Sequence, residues 1–133
     1  MEKRMNQTEL LELLSSLKLD VEEYWILSSS ALVLRGIYPD AGDLDIAVTD
    51  LGLEELKKNY QLKSKGNDWY EVTDKIECVC DGKKETLNYQ PEKVGDYYLQ
   101  NIEEYLTYLE MSTREKDKKR IPLIKQYMKQ QNK

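Results

Sequence analysis

Phenylalanine and histidine are both absent from the 133 residues. Without an imidazole there is no histidine general base, no serine–histidine triad and no histidine ligand, so chemistry falls to carboxylates, hydroxyls, Lys, Arg and a bound ion. Ten Tyr and two Trp must supply the aromatic bulk. Cysteine is scarce as well: only Cys78 and Cys80 are present. On a strand both would point the same way with Cα atoms near the upper limit for a disulfide, which reads as two reduced thiols in or beside the core. Two thiols without histidine are too few for the usual zinc site. No stretch approaches the ~18 consecutive apolar residues of a membrane span. The opening MEKRMNQTELLELL has no apolar run followed by a small-residue cleavage site. The expected location is therefore cytoplasmic, with no membrane partner.

What is present describes a folded domain. Apolar residues make up 40% of the chain and come in periodic clusters rather than scattered, as a packed core requires. A single domain over residues 1–133 is expected, large enough to bury roughly two thirds of its unfolded surface. The net charge of −5 is unevenly spread: residues 114–133 carry about +6 and the remainder about −11. Such a basic end is either a solvated helical face or a clamp for phosphates. The acidic balance of the whole argues against a protein that coats duplex DNA.

Hydrophobic spacing orders the elements. Asn6 and Glu9 form a capping-box pattern, and Leu10, Leu11, Leu13, Leu14 and Leu17 place a helix over 7–18. EYWILS (23–28) reads as a short buried strand, and SSSALVLRG as a helix opened by serines and closed by Gly36. DLDIAV is a second strand with Leu44, Ile46 and Val48 on one side and Asp43, Asp45 and Ala47 on the other. GLEELKKNY is helical, and DWYEVTD with KIECVCDGKK reads as a strand pair. Beyond Pro91 the chain is expected to be helical, through NIEEYLTYLEM and a last helix with Pro122 at its first turn. The fold class is α+β, α/β-like: a small mixed sheet with flanking helices over about 20–90 and a C-terminal helical part over about 91–133.

The chemistry concentrates in two short segments. Asp43 and Asp45, two apart on a strand, have Cα atoms about 6.5–7 Å apart and can converge on a hard cation; alone, such a pair is more often a wet strand face. Upstream, Ser28, Ser29 and Ser30 occupy the turn that opens a helix directly after a strand, where unpaired N–H groups and hydroxyls suit an anion. The plainer reading of one of them is an N-cap.

Taken together, WILSSSALVLRGIYPDAGDLDIAV resembles the core of the nucleotidyltransferase superfamily with the DNA polymerase β-like fold, especially its minimal and abortive-infection-type members. Their pattern is a hydrophobic residue, Gly, Gly or Ser, about a dozen residues, then Asp, a hydrophobic residue, and Asp or Glu. Ser28 falls on the first Gly, Ser29 on the Gly-or-Ser, and Asp43 and Asp45 on the acidic pair, with good correspondence over 24–49. The resemblance implies two Mg²⁺ ions and an NTP. It also implies a third carboxylate from a later strand, for which Glu77 is the best match; Glu71 and Asp81 are rivals. Alternation supports Glu77, because a residue between Ile76 and Cys78 faces away from them. STREKDKKRIPLI is similar to a helical R-x-K-D segment of abortive-infection-type members, in which Arg114 or Lys116 would reach phosphate oxygens or buttress the acids; a surface ion pair is the alternative.

The implied activity is transfer of NMP from an NTP to a hydroxyl of a small molecule, a protein or an RNA end. Asp43, Asp45 and Glu77 would hold metal, and Ser28, Ser29 and Ser30 the β- and γ-phosphates. Ser28 departs from the pattern, since serine tolerates the positive φ of such a glycine poorly. Either the turn is built differently or phosphate binding is impaired. The alternative is thus a catalytically degenerate module of the same fold that binds a nucleotide or a protein partner. Tyr97, Tyr98, Tyr105 and Tyr108 would suit a partner surface or a homodimer, or else fill the core in place of phenylalanine.

Overall fold

A computed structural model describes residues 4–131, the side chain of Lys84 excepted. Helix α1 (Gln7–Ser16) starts at a full capping box: the Asn6 side chain accepts from the Glu9 N–H, and the Glu9 carboxylate accepts from the Asn6 N–H. Strand β1 (Tyr24–Ile26) leads into α2 (Ser28–Leu34), whose end is a Schellman turn. There the Gly36 N–H bonds Val33 O, the Ile37 N–H bonds Leu32 O, and Gly36 takes the left-handed φ of +80° that glycine adopts without strain. Strand β2 (Leu44–Thr49), helix α3 (Asp50–Asn59) and strands β3 (Lys63–Gly66), β4 (Trp69–Glu71) and β5 (Ile76–Gly82) follow. Strands β6 (Glu92–Val94) and β7 (Tyr97–Leu99) precede helices α4 (Ile102–Met111) and α5 (Glu115–Gln131).

The fold is α+β: the strands form one mixed sheet in the order β3-β4-β5-β2-β1-β7-β6, flanked by helices. Two pairings are parallel, β2 with β5 and β1 with β7. One buried cluster joins Tyr24, Ile26, Leu44, Ile46, Val48, Ile76 and Cys78 of the sheet to Leu10 and Leu14 of α1, Ala31 and Val33 of α2, and Leu53 and Leu56 of α3. A second, smaller cluster packs α4 and α5 against Leu32 of α2 through Ile102, Tyr105, Leu109 and Ile124. Helix α2 is therefore wedged between the two, and its position is fixed from both sides. Among the described residues no helix is long and apolar enough to cross a membrane.

Two expectations are corrected. The segment after Pro91 is first a hairpin, not a helix. Gly95 at φ +62° permits a tight turn, and Leu99, fully buried, pairs with Ile26 of β1. Helicity begins only at Ile102. Helix α5 also starts well before Pro122, which lies inside it. Its first turn is anchored by the buried Asp117, which accepts from Ser112 and Arg114, and the carbonyl of Lys118 that proline leaves unpaired belongs to an exposed residue.

Gly52 shows how tightly α3 meets the sheet. A Cβ there would lie 2.7 Å from the Glu23 carbonyl oxygen and 3.2–3.3 Å from the Cβ atoms of Glu23 and Val48. Alanine gains about 1 kcal/mol of helix propensity but overpacks at a cost of about 1–3 kcal/mol. Gly52→Ala should therefore unfold at lower urea, by about 1 kcal/mol net; equal or higher stability would show that Val21–Glu23 yields freely.

Candidate functional site

Alternation along β2 sends Leu44, Ile46 and Val48 into the main cluster, so Asp45 and Ala47 face the other side, with Asp43 just before the strand. Burial of Ile76 and Cys78 does the same for β5 and turns Glu77 to that side. The register then brings the acids together. Asp45 is opposite Glu77, Glu77 is opposite Glu71 of β4, and Glu71 is opposite Lys63 of β3. With strands about 4.8 Å apart, three carboxylates stand side by side in a row across the sheet. Trp25 and Ala47, paired in the neighbouring row, are buried, whereas Asp45, Glu77 and Glu71 remain partly exposed. Of the two rivals to Glu77, Glu71 joins the row; Asp81 is exposed towards the far end of β5.

The serine turn abuts this row. Ser28 has φ +54°, the left-handed conformation for which a glycine would be the unstrained choice. Its N–H is taken by Oε1 of Gln100 at 3.1 Å. Ser30 is fully buried, and its hydroxyl donates to Asp43 O at 3.0 Å and accepts from the Asp45 N–H at 3.2 Å. Counted among the phosphate donors in the sequence, Ser30 instead spends its hydroxyl within the protein, tying the first turn of α2 to the backbone on both sides of Leu44. Ser28 and Ser29 are half-buried.

Burial and crowding of like charge act together on Asp45. Burial, then the Glu77 and Asp43 carboxylates, push its carboxyl up to about 6, with Lys65 pulling the other way. Lys65, in an irregular step of β3, binds Glu77 directly. That hydrogen bond, with the fields of Glu77, Glu71 and Asp43, holds its ammonium above the usual lysine value. Among the described residues, no three His, Cys, Asp or Glu side chains are already disposed to hold a metal. The donor set nevertheless fits Mg²⁺, which takes one or two carboxylates and leaves its other positions to water and phosphate. The ammonium of Lys65 already sets one positive charge on Glu77.

Arg114 and Lys116 lie at the junction of α4 and α5. Arg114 Nε binds Asp117 Oδ2 at 2.7 Å and its Nη2 binds the Tyr108 hydroxyl, while Lys116 is exposed on the first turn of α5. Asp117 is wholly buried, which alone would raise its carboxyl; the Ser112 and Arg114 hydrogen bonds and the Arg114 and Arg120 charges bring it below the ordinary value. This cluster ties α4 to α5. The tyrosines divide: Tyr105 is buried with its hydroxyl accepting from Arg120, Tyr97 packs against the main cluster, and Tyr108 is 51% exposed. Cys78 and Cys80 are free thiols, and burial, with Cys80 beside it, pushes Cys78 up to about 12, which disfavours its thiolate at neutral pH. A groove of about 610 Å³ between Lys57 and Tyr70 contains none of the acids in the row.

Sequence reasoning passed over Lys65 and Gln100. The alternating KSKG before Asn67-Asp68 could have marked Lys65 as a strand residue, because that dipeptide suits a tight hairpin turn; both residues have positive φ. Nothing local marks Gln100. No family model, curated protein or solved structure matches the chain.

The Asp45 shift gives a signed prediction. With a folded value of about 6 against an unfolded 3.8, the native state holds the proton more tightly, so stability falls as pH rises from about 4 through 6 and stays lower above. Asp45→Asn removes that penalty. It should be about 1–2 kcal/mol more stable than wild type in urea at pH 7.5, after allowance for solvent screening, and show little advantage at pH 4. The same difference at both pH values would contradict a carboxyl raised by burial and by its acidic neighbours.

Proposed function

We propose that the chain is a Mg²⁺-dependent nucleotidyltransferase that moves NMP from an NTP to a hydroxyl of a small molecule, a protein or an RNA end. The observation that carries this reading is the register of Asp45 with Glu77, two residues after Asp43 and joined through Ser30 to a strained serine turn. Asp43, Asp45 and Glu77 would hold the ions. When bound, they would neutralise the leaving pyrophosphate and lower the pKa of the acceptor hydroxyl. In the transfer, the bond between the α-phosphorus and the bridging oxygen breaks, the acceptor oxygen bonds to phosphorus, and its proton passes to a carboxylate, for which Glu77 is the choice. Ser28 and Ser29 line the side from which the β- and γ-phosphates would approach.

One observation favours a second reading, a non-catalytic module of the same fold that binds a nucleotide or a protein. The N–H of Ser28, the first of α2, is already satisfied by Gln100. Phosphate would have to displace that side chain.

Incubation with Mg²⁺ and each labelled NTP in cell extract separates the two. Transfer by wild type, reduced at least 100-fold in Asp43→Ala and in Asp45→Ala while both unfold at or above the wild-type temperature, is the expected outcome for removal of metal-bridging carboxylates, a loss of about 3 kcal/mol of transition-state stabilisation. Transfer retained in both variants sinks the catalytic assignment. A thermal shift with MgNTP but no transfer favours the module.

A further inference from the structure

The acid row already carries a cation of its own. Lys65 lies on β3, the edge strand, all of whose residues are exposed, and its ammonium reaches in to Glu77. Glu71, Glu77, Asp43 and Asp45 all lie within its field. Three features make this more than one surface pair among many. The contact is to the carboxylate at the register position of Asp45, not to an outlying acid. The lysine is half exposed and tethered by a flexible chain, so releasing it is cheap. Finally, the pairing occurs where β3 departs from regular register between Ser64 and Gly66, so the position of Lys65 is not imposed by the ladder as that of Lys63 is.

We propose that Lys65 is a built-in counter-cation of this site, which competes with the divalent ion for Glu77 and sets the site's metal affinity. The inference rests on the assignment of the acid row as a metal site. In the resting protein the ammonium lowers the repulsion among Asp45, Glu77 and Glu71. Entry of a divalent ion displaces it from Glu77 into solvent, where the edge strand leaves it room. No bond is made or broken; the exchange is one cation for another on the same carboxylate oxygens.

The test is Mn²⁺ binding to the whole chain, read as loss of the free-ion electron paramagnetic resonance signal, for wild type, Asp45→Asn, Lys65→Met and Lys65→Arg. Removing one positive charge beside the ion should tighten binding about tenfold in Lys65→Met, the size of a single like-charge repulsion at a partly solvated site. Lys65→Arg should bind as wild type does, which ties the effect to charge and not to packing. Asp45→Asn should bind weakly or not at all. Unchanged or weaker binding by Lys65→Met, alongside loss in Asp45→Asn, overturns the inference and leaves the metal assignment standing. Absence of binding in wild type and Lys65→Met alike, or equal binding in Asp45→Asn, overturns the metal assignment and the inference with it. All four proteins are compared by thermal unfolding, and Lys65→Arg supplies the charge test if Lys65→Met is unstable.

Discussion

Repulsion between Asp45 and Glu77 is imposed by the burial of their neighbours, and the candidate site follows from it. Leu44, Ile46, Val48 and Ile76 are buried on one face of β2 and β5, and each contributes about 1.5–3 kcal/mol by leaving water. A slip of one residue would turn that whole set outward. Against this, raising one carboxyl from 3.8 to about 6 costs at most about 3 kcal/mol. The apolar face therefore wins, and the acids are held together despite their charge. The ammonium of Lys65 from β3 offsets part of that charge.

The second constraint lies at the turn from β1 into α2. A serine at φ +54° costs about 1–3 kcal/mol, and it persists because the surroundings over-determine it. The buried Ser30 hydroxyl makes two bonds to the backbone beside Leu44, Gln100 takes the Ser28 N–H, and the Gln100 backbone bonds Ile26. Each such bond contributes about 0.5–1.5 kcal/mol net, so together they cover the strain. Arg35, almost fully buried, bonds the Gln100 carbonyl and extends this support to Glu92 of β6. The turn and the acid row are thus joined by a continuous set of hydrogen bonds.

How much of this could be read in the sequence depended on where the signal lay. The β2 alternation, the serines that open α2 and the Gly36 stop are local patterns, and they located Asp45, the segment around Asp43 and the strand–turn–helix. Glu77 was legible because its apolar neighbours Ile76 and Cys78 fix its face. Strand β3 left only the Asn67-Asp68 turn as a sign, since all four of its residues are exposed and none contributes to the apolar period. The hairpin of β6 and β7 was hidden for a different reason: its strands are three residues long and owe their pairing to β1, far away in sequence. Lys65 and Gln100 come from these two missed regions, so their parts in the site emerge only from the tertiary structure. Proline at 122 misled in the opposite direction, because the helix it lies in is held at its first turn by a buried aspartate five residues earlier.

The most direct measurement is paramagnetic broadening of backbone amide signals when Mn²⁺ and a non-hydrolysable NTP are added together to the isotopically labelled protein. The proposed function predicts selective loss of the amide signals of residues 28–30, 43–46 and 76–78, which surround the acid row and the serine turn. Broadening centred on any other acidic stretch, such as residues 20–23, or none above the level seen with Mn²⁺ and a protein lacking the Asp45 carboxylate, would contradict the account.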